Sequence, residues 1–173
     1  RFKLGKDVRD WKVKYARKDL KDSGLDFSRI TKINYRPFDT RFTYYTGNSK
    51  GFHCMPRGEL MHHFLQGENF GLMTCRQTAV DHWEHVGLTK LIADDSRVSN
   101  RSKERGYIFP LYLYPESDGQ QTLDGRPERT PNLDAEIVQE IAEGLGLSFV
   151  PEKEDGGHPE GGLHLTPPAA PAS

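Results

Sequence analysis

The chain has 173 residues, 28% of them charged and 35% hydrophobic, with a mean hydropathy of −0.74. This length suits one domain with a real core and is short for two, and the low hydropathy places part of the chain outside that core. Apolar runs fall well short of the roughly 18 residues of a membrane span, there is no basic-then-apolar leader, and Cys54 and Cys75 show no paired spacing, so the expected setting is reduced and cytoplasmic.

The chain opens at Arg1 without a methionine, and we read it as a segment of a larger polypeptide. The net charge of −1 conceals an asymmetry. Residues 1–50 hold 14 Lys/Arg against 6 Asp/Glu, residues 51–115 hold 7 of each, and residues 116–173 hold 3 against 12. A basic end of this kind suits contact with a polyanion, although a solvated basic helix followed by an acidic tail gives the same count.

Residues 7–22 read as a helix with Val8, Trp11, Tyr15 and Leu20 on one stripe, ended by Gly24. Residues 30–35 and 41–46 alternate as strands, and Pro37 suits the second position of a sharp turn, "RPFD", between them. There we expect Asp39 to pair with Arg36 or Arg41 and Phe38 to fill the core. "GNSKG", 47–51, is a mobile loop by composition. Residues 56–66 look helical, with Pro56 in the first turn and Leu60, Met61, Phe64 and Leu65 on one face. Residues 70–77 and 85–93 are expected strands, and 106–115 is a strand that Pro110 places at an edge or bulge. Residues 132–145 form an amphipathic helix capped by Asn132, with Leu133, Ile137, Ile141 and Leu145 in register. From Pro151 the composition is that of a flexible Pro/Gly-rich linker.

The fold class is therefore α+β, an irregular mixed or antiparallel sheet with a few short helices and a flexible C-terminal tail. The division is a basic helical segment at 1–29, a domain at 30–150 and the linker at 151–173.

Catalytic signatures are missing from the sequence. "GNSKG" has Ser before Lys and lacks the phosphate-cradling pattern, and there is no GxSxG and no HExxH. Histidine clusters at His53-Cys54, His62-His63 and His82/His85 raise a metal site, but adjacent helical histidines point about 100° apart and no second ligand pair is spaced to complete a tetrahedron. Basic side chains at strand ends and loops carry more. Arg suits guanine and Gln suits adenine at base edges. From residue type and loop position, Arg76, Gln77, Ser99, Asn100 and Arg101 are candidates for base contact, and Arg36, Arg41, Lys50 and Arg57 for phosphate contact. The loop at 96–106 also fits an ordinary solvated connection.

Four strings, "YRPFDTRFTYYTG", "SKGFHCMPRGELMHHFL", "GENFGLMTCRQ" and "GYIFPLYLYP", resemble in sequence, order and spacing the C-terminal specificity domain of Type ISP restriction-modification enzymes. "PNLDAEIVQEIAEGLGLSF", 131–149, resembles the helical segment that follows. The resemblance implies one large polypeptide with a nuclease, a helicase-like ATPase, a coupler, an N6-adenine methyltransferase and a target-recognition domain, of which this chain is part of the last. It implies duplex DNA and the methyltransferase domain of the same polypeptide as partners. Catalysis, with S-adenosylmethionine, ATP and Mg as cofactors, would belong to the rest of that polypeptide, and this chain would bind none of them. Two other readings stand beside it: a structural module docking on the methyltransferase domain, and a small His/Cys metal-site protein.

Overall fold

The structure is a computed structural model that describes residues 6–79, 81, 85–98, 104–116, 129–150 and 164–166. The chain divides into two compact units, Arg1–Thr130 and Pro131–Ser173. Among the described residues no helix is long and apolar enough to cross a membrane.

In the first unit, helix α1 spans Val13–Ser23. It starts later than the sequence pattern suggests because Val8 and Trp11 bridge to each other and the Asp7 carboxylate accepts from the Val13 N–H at 2.9 Å. That bond satisfies one of the free donors at a helix start. Ala16 and Asp19 are its buried residues.

Strands β1 (Ile30–Arg36) and β2 (Asp39–Tyr44) pair antiparallel, with a register irregularity between Asn34 and Arg36. Two-residue strand β5 (Ile92–Ala93) adds to β1 in parallel, Ile33 opposite Ile92. Helix α2 (Gly58–Met61) runs directly into a 3-10 turn at His62–Phe64, so the expected helix at 56–66 is present in shortened form.

A second sheet has the order β4-β3-β6, built from β3 (Gly71–Cys75), β4 (Val86–Thr89) and β6 (Gly106–Pro110). Pro110 lies in an edge strand, as its missing N–H requires. The core gathers Met61, Phe64, Met73, Ile92, Ala93 and Ile108 between these elements. Close packing there depends on Gly71, where a Cβ would come within 2.6 Å of the Phe64 ring.

The expected strand at 85–93 is two strands in two different sheets. Buried Thr89 makes the break. Its hydroxyl accepts from the Leu91 N–H and donates to the Leu91 carbonyl, both at 3.0 Å, turning the chain out of one ladder and into the other. A similar break divides 106–115. The Leu111 N–H bonds to the Phe70 carbonyl at 2.7 Å, and β7 (Tyr112–Leu113) follows. Asn69, 3% exposed, fixes this corner, donating to the carbonyls of His63 and Tyr112 and accepting from the Tyr112 N–H. Strand β8 (Thr130–Pro131), whose first residue is the last of the first unit, pairs with β7.

In the second unit, helix α3 spans Ala135–Gly144 and is capped by Asp134, whose carboxylate accepts from Glu136 and Ile137. The cap falls two residues after the expected Asn132. Strand β9 (Ser148–Val150) pairs antiparallel with β10 (His164–Thr166). The rest of the stretch from Pro151, expected as a flexible linker, lies outside the described residues.

Candidate nucleic-acid interface

The β1–β2 corner shows how its residues divide their work. Asp39 accepts from Arg41 Nε and Nη2 at 3.0 and 2.7 Å, which holds its carboxyl below the usual range and raises the guanidinium of Arg41. Arg36 turns the other way, donating to Asp94 at 2.6 Å. Both guanidinium carbons lie over the Tyr35 ring, 3.9 and 4.1 Å from its centroid. The expectation for Asp39 holds.

The expectation for Phe38 does not. Its φ is +62° and its relative exposure is 107%, so it sits at the tip of the turn and fills no core. The third position of a turn with Pro second favours positive φ, which is usually left to Gly or Asn. That backbone region costs an aromatic residue about 1–2 kcal/mol.

The loop from Thr46 to Phe52 is pinned, against the expectation of a mobile 47–51. The pin is Asp19 of α1, 7% exposed. It accepts from Thr46 Oγ1 at 2.6 Å, Asn48 Nδ2 at 2.7 Å and the Phe52 N–H at 2.7 Å. Burial pushes this carboxyl up, but the hydrogen bonds from Thr46, Asn48 and Phe52 outweigh it and leave it below the ordinary value. Trp11 Nε1 adds a bond to the Phe52 carbonyl at 2.9 Å. Gly51 is required because a Cβ there would lie 2.3 Å from the Asp19 carboxylate.

The pinned loop holds Lys50 and, beyond it, Arg57 in left-handed backbone, φ +55° and +53°. Both are exposed and neither forms an ion pair among the described residues. Unusual backbone held by its surroundings is a mark of functional loops. Beside them runs a groove of about 510 Å³ lined by Arg29, Tyr45, Asn48, Gly58, Glu59 and His62.

The third candidate place is one end of the second sheet. Arg76 and Gln77 follow β3 and are exposed, with the Arg76 guanidinium 5.7 Å from the Tyr107 ring centroid. Buried Glu104 joins this end to the root of the 96–106 loop: it accepts from the Ala79 N–H and pairs with His85 at 3.2 Å. Ser99, Asn100 and Arg101 lie outside the described residues.

The candidate cations thus sit in three places, and the structure pairs two of them, Arg36 and Arg41, with carboxylates. Sequence reasoning missed Asp19. An acidic residue on a basic helix reads as surface, and its partners lie 27 to 33 positions away.

Three of the histidines bond within the fold. His63 Nδ1 accepts from the Tyr114 N–H at 3.0 Å, His62 Nε2 bonds the Tyr114 carbonyl at 3.2 Å, and His53 Nε2 bonds Thr43 Oγ1 at 3.0 Å. Burial lowers the pKa of His53 and of His63. Among the described residues no three or more His, Cys, Asp or Glu side chains converge as a metal site would need.

The outer face of the second sheet is apolar. Leu72 stands between Leu88 and Phe109 across the ladders, and these three are 45%, 63% and 52% exposed. Val86 and Tyr107 flank Thr74 on the same face.

The sequence family described as the Type ISP C-terminal specificity domain matches residues 1–156 of the 173. The chain belongs to that family. A Type ISP specificity domain is the target-recognition part of a restriction-modification enzyme, and the match takes in both sheets, the pinned loop and α3. No curated protein and no solved structure matches the chain.

Proposed function

We propose that this Type ISP specificity domain binds duplex DNA and sets which adenine is methylated by the methyltransferase part of the same polypeptide. The observation that carries the reading is family membership over nearly the whole chain. Physical support comes from exposed cations free of ion pairs among the described residues: Lys50 and Arg57 on the pinned loop, and Arg76 beside Gln77 at the sheet end. Phosphate contact by such side chains gives affinity that falls with salt, while base-edge contact gives sequence choice. Flipping and methylation of the adenine, with S-adenosylmethionine, ATP and Mg, belong to other parts of the polypeptide in this reading.

Binding assays on Arg76→Ala and Arg101→Ala test it. The expected result is weaker binding or altered sequence preference. Unchanged affinity and preference in both would remove these residues. Exchange of residues 70–106 with a relative of different specificity should move the methylation site mapped in the host.

One observation favours a second reading. The exposed apolar face around Leu72, Leu88 and Phe109 has the character of a docking surface, here for the methyltransferase domain. In that reading the DNA contacts are few and the domain chiefly positions its neighbour. Leu72→Lys would then disrupt assembly of the polypeptide while leaving DNA binding by this chain unchanged.

A further inference from the structure

We propose that Phe38 is a wedge that enters the base stack of the bound duplex. The inference rests on the reading of the chain as a DNA-binding domain and goes beyond it, because it assigns a mode of contact to a residue outside the candidate cations.

The isolated chain gives this side chain nothing to do. It is fully exposed, at 107%, in a backbone conformation that disfavours it. Its mount, by contrast, is rigid. On one side Arg36 is tied to Asp94; on the other Asp39 is tied to Arg41 by three hydrogen-bond contacts; both guanidinium groups lie on Tyr35. A flat apolar ring on a narrow, preorganised tip suits insertion between two stacked planes.

The chemistry beside the tip suits an anionic surround. Arg41 keeps 57% of its side chain exposed, and its Nη1 has no partner among the described residues. Once the ring enters a base step, that nitrogen is placed for a phosphate. Apolar wedges of this kind unstack a step and kink the duplex. A protein partner is a poorer fit: docking area is available on the second sheet, whereas Phe38 offers one ring on a two-residue tip.

The test uses the chain and duplexes that it selects from a randomised pool, with a fluorescent aminopurine scanned through the selected site. Wild type should brighten one position several-fold on binding, as an unstacked base does. Phe38→Ala and Phe38→Gly should lose that signal and bind roughly 10-fold more weakly, in line with stacking losses on alanine substitution. Phe38→Trp should keep it. Phe38→Gly also relieves the left-handed backbone, and a circular dichroism spectrum and melting curve matching wild type separate a lost wedge from unfolding.

If wild type binds but no position brightens, or if Phe38→Gly brightens the same position, the wedge is overturned and the DNA-binding reading stands. If no duplex is recovered from the pool, both fall together.

Discussion

Two regions of the first unit present basic side chains, and they hold them in opposite ways. At the β1–β2 corner the arginines are part of the scaffold: Arg36 is paired with Asp94, Arg41 with Asp39, and both lie on Tyr35. In the 46–58 loop the scaffold is a buried carboxylate, Asp19, that binds neutral donors and leaves Lys50 and Arg57 without ion pairs among the described residues. The same residue type therefore does structural work in one place and stays available in the other. A cation's worth to a nucleic acid depends on what else already holds its charge.

The comparison breaks most sharply at Asp19. Asp19→Ala strands two side-chain donors and a backbone N–H, and should cost about 2–4 kcal/mol in urea unfolding, with Asp19→Asn costing less. If both variants match wild type, the loop is not pinned as described.

Acid should tell the same story. The folded pKa of Asp19 lies below its unfolded value, so its contribution is fully present above pH of about 4 and is lost as pH falls through the lower folded value. His53, kept neutral by burial, acts at higher pH. Between its lowered folded value and about 6.5 the unfolded chain binds the extra proton, so stability falls as pH drops through that window. Stability measured from pH 7 to 3 should show both losses, and Asp19→Asn should shrink the more acidic one, to which Asp26 and Asp39 also contribute, while the loss at His53 remains.

A middle-sized effect is expected at Arg36 and Asp94, whose side chains are 25% and 30% exposed. A double-mutant cycle should give a coupling of about 1 kcal/mol, and a smaller one for the more exposed Arg41–Asp39 pair. Equal couplings would erase the distinction between them. The smallest stability effects belong to Lys50→Ala and Arg57→Ala, within about 0.5 kcal/mol of wild type. On DNA, each should lower the slope of log affinity against log salt by about 1 if it neutralises one phosphate. Variants that leave the slope unchanged would take those two residues off the interface.

Much of the hairpin was legible in the sequence, because alternation over 30–35 and 41–46 and the proline between them are local signals. The pairing of Asp39 was legible for the same reason, since its partner is two positions away. What could not be read depends on distant partners or on backbone context. Asp19 looks like any acidic residue on a charged helix until the loop at 46–52 folds onto it. Phe38 looks like core, because an aromatic beside a strand usually is; only the left-handed turn position sends it outward. The strand at 85–93 carries one apolar pattern and gives no sign that Thr89 divides it. For the candidate site, exposure of Lys50, Arg57, Arg76 and Gln77 followed from loop position, whereas the internal pairing of Arg36 required Asp94, 58 residues away.

The division at Thr89 has a practical corollary for grafting. Ile92 and Ala93 lie within any cassette cut at 70 and 106, yet they complete a ladder whose other rail, at Ile33 and Asn34, stays behind in the recipient. Chimaeras that transplant such a cassette inherit a seam through the hydrophobic interior, so donor and recipient must agree at positions 33 and 92. Swaps that ignore this match should yield insoluble protein before they reveal anything about target choice.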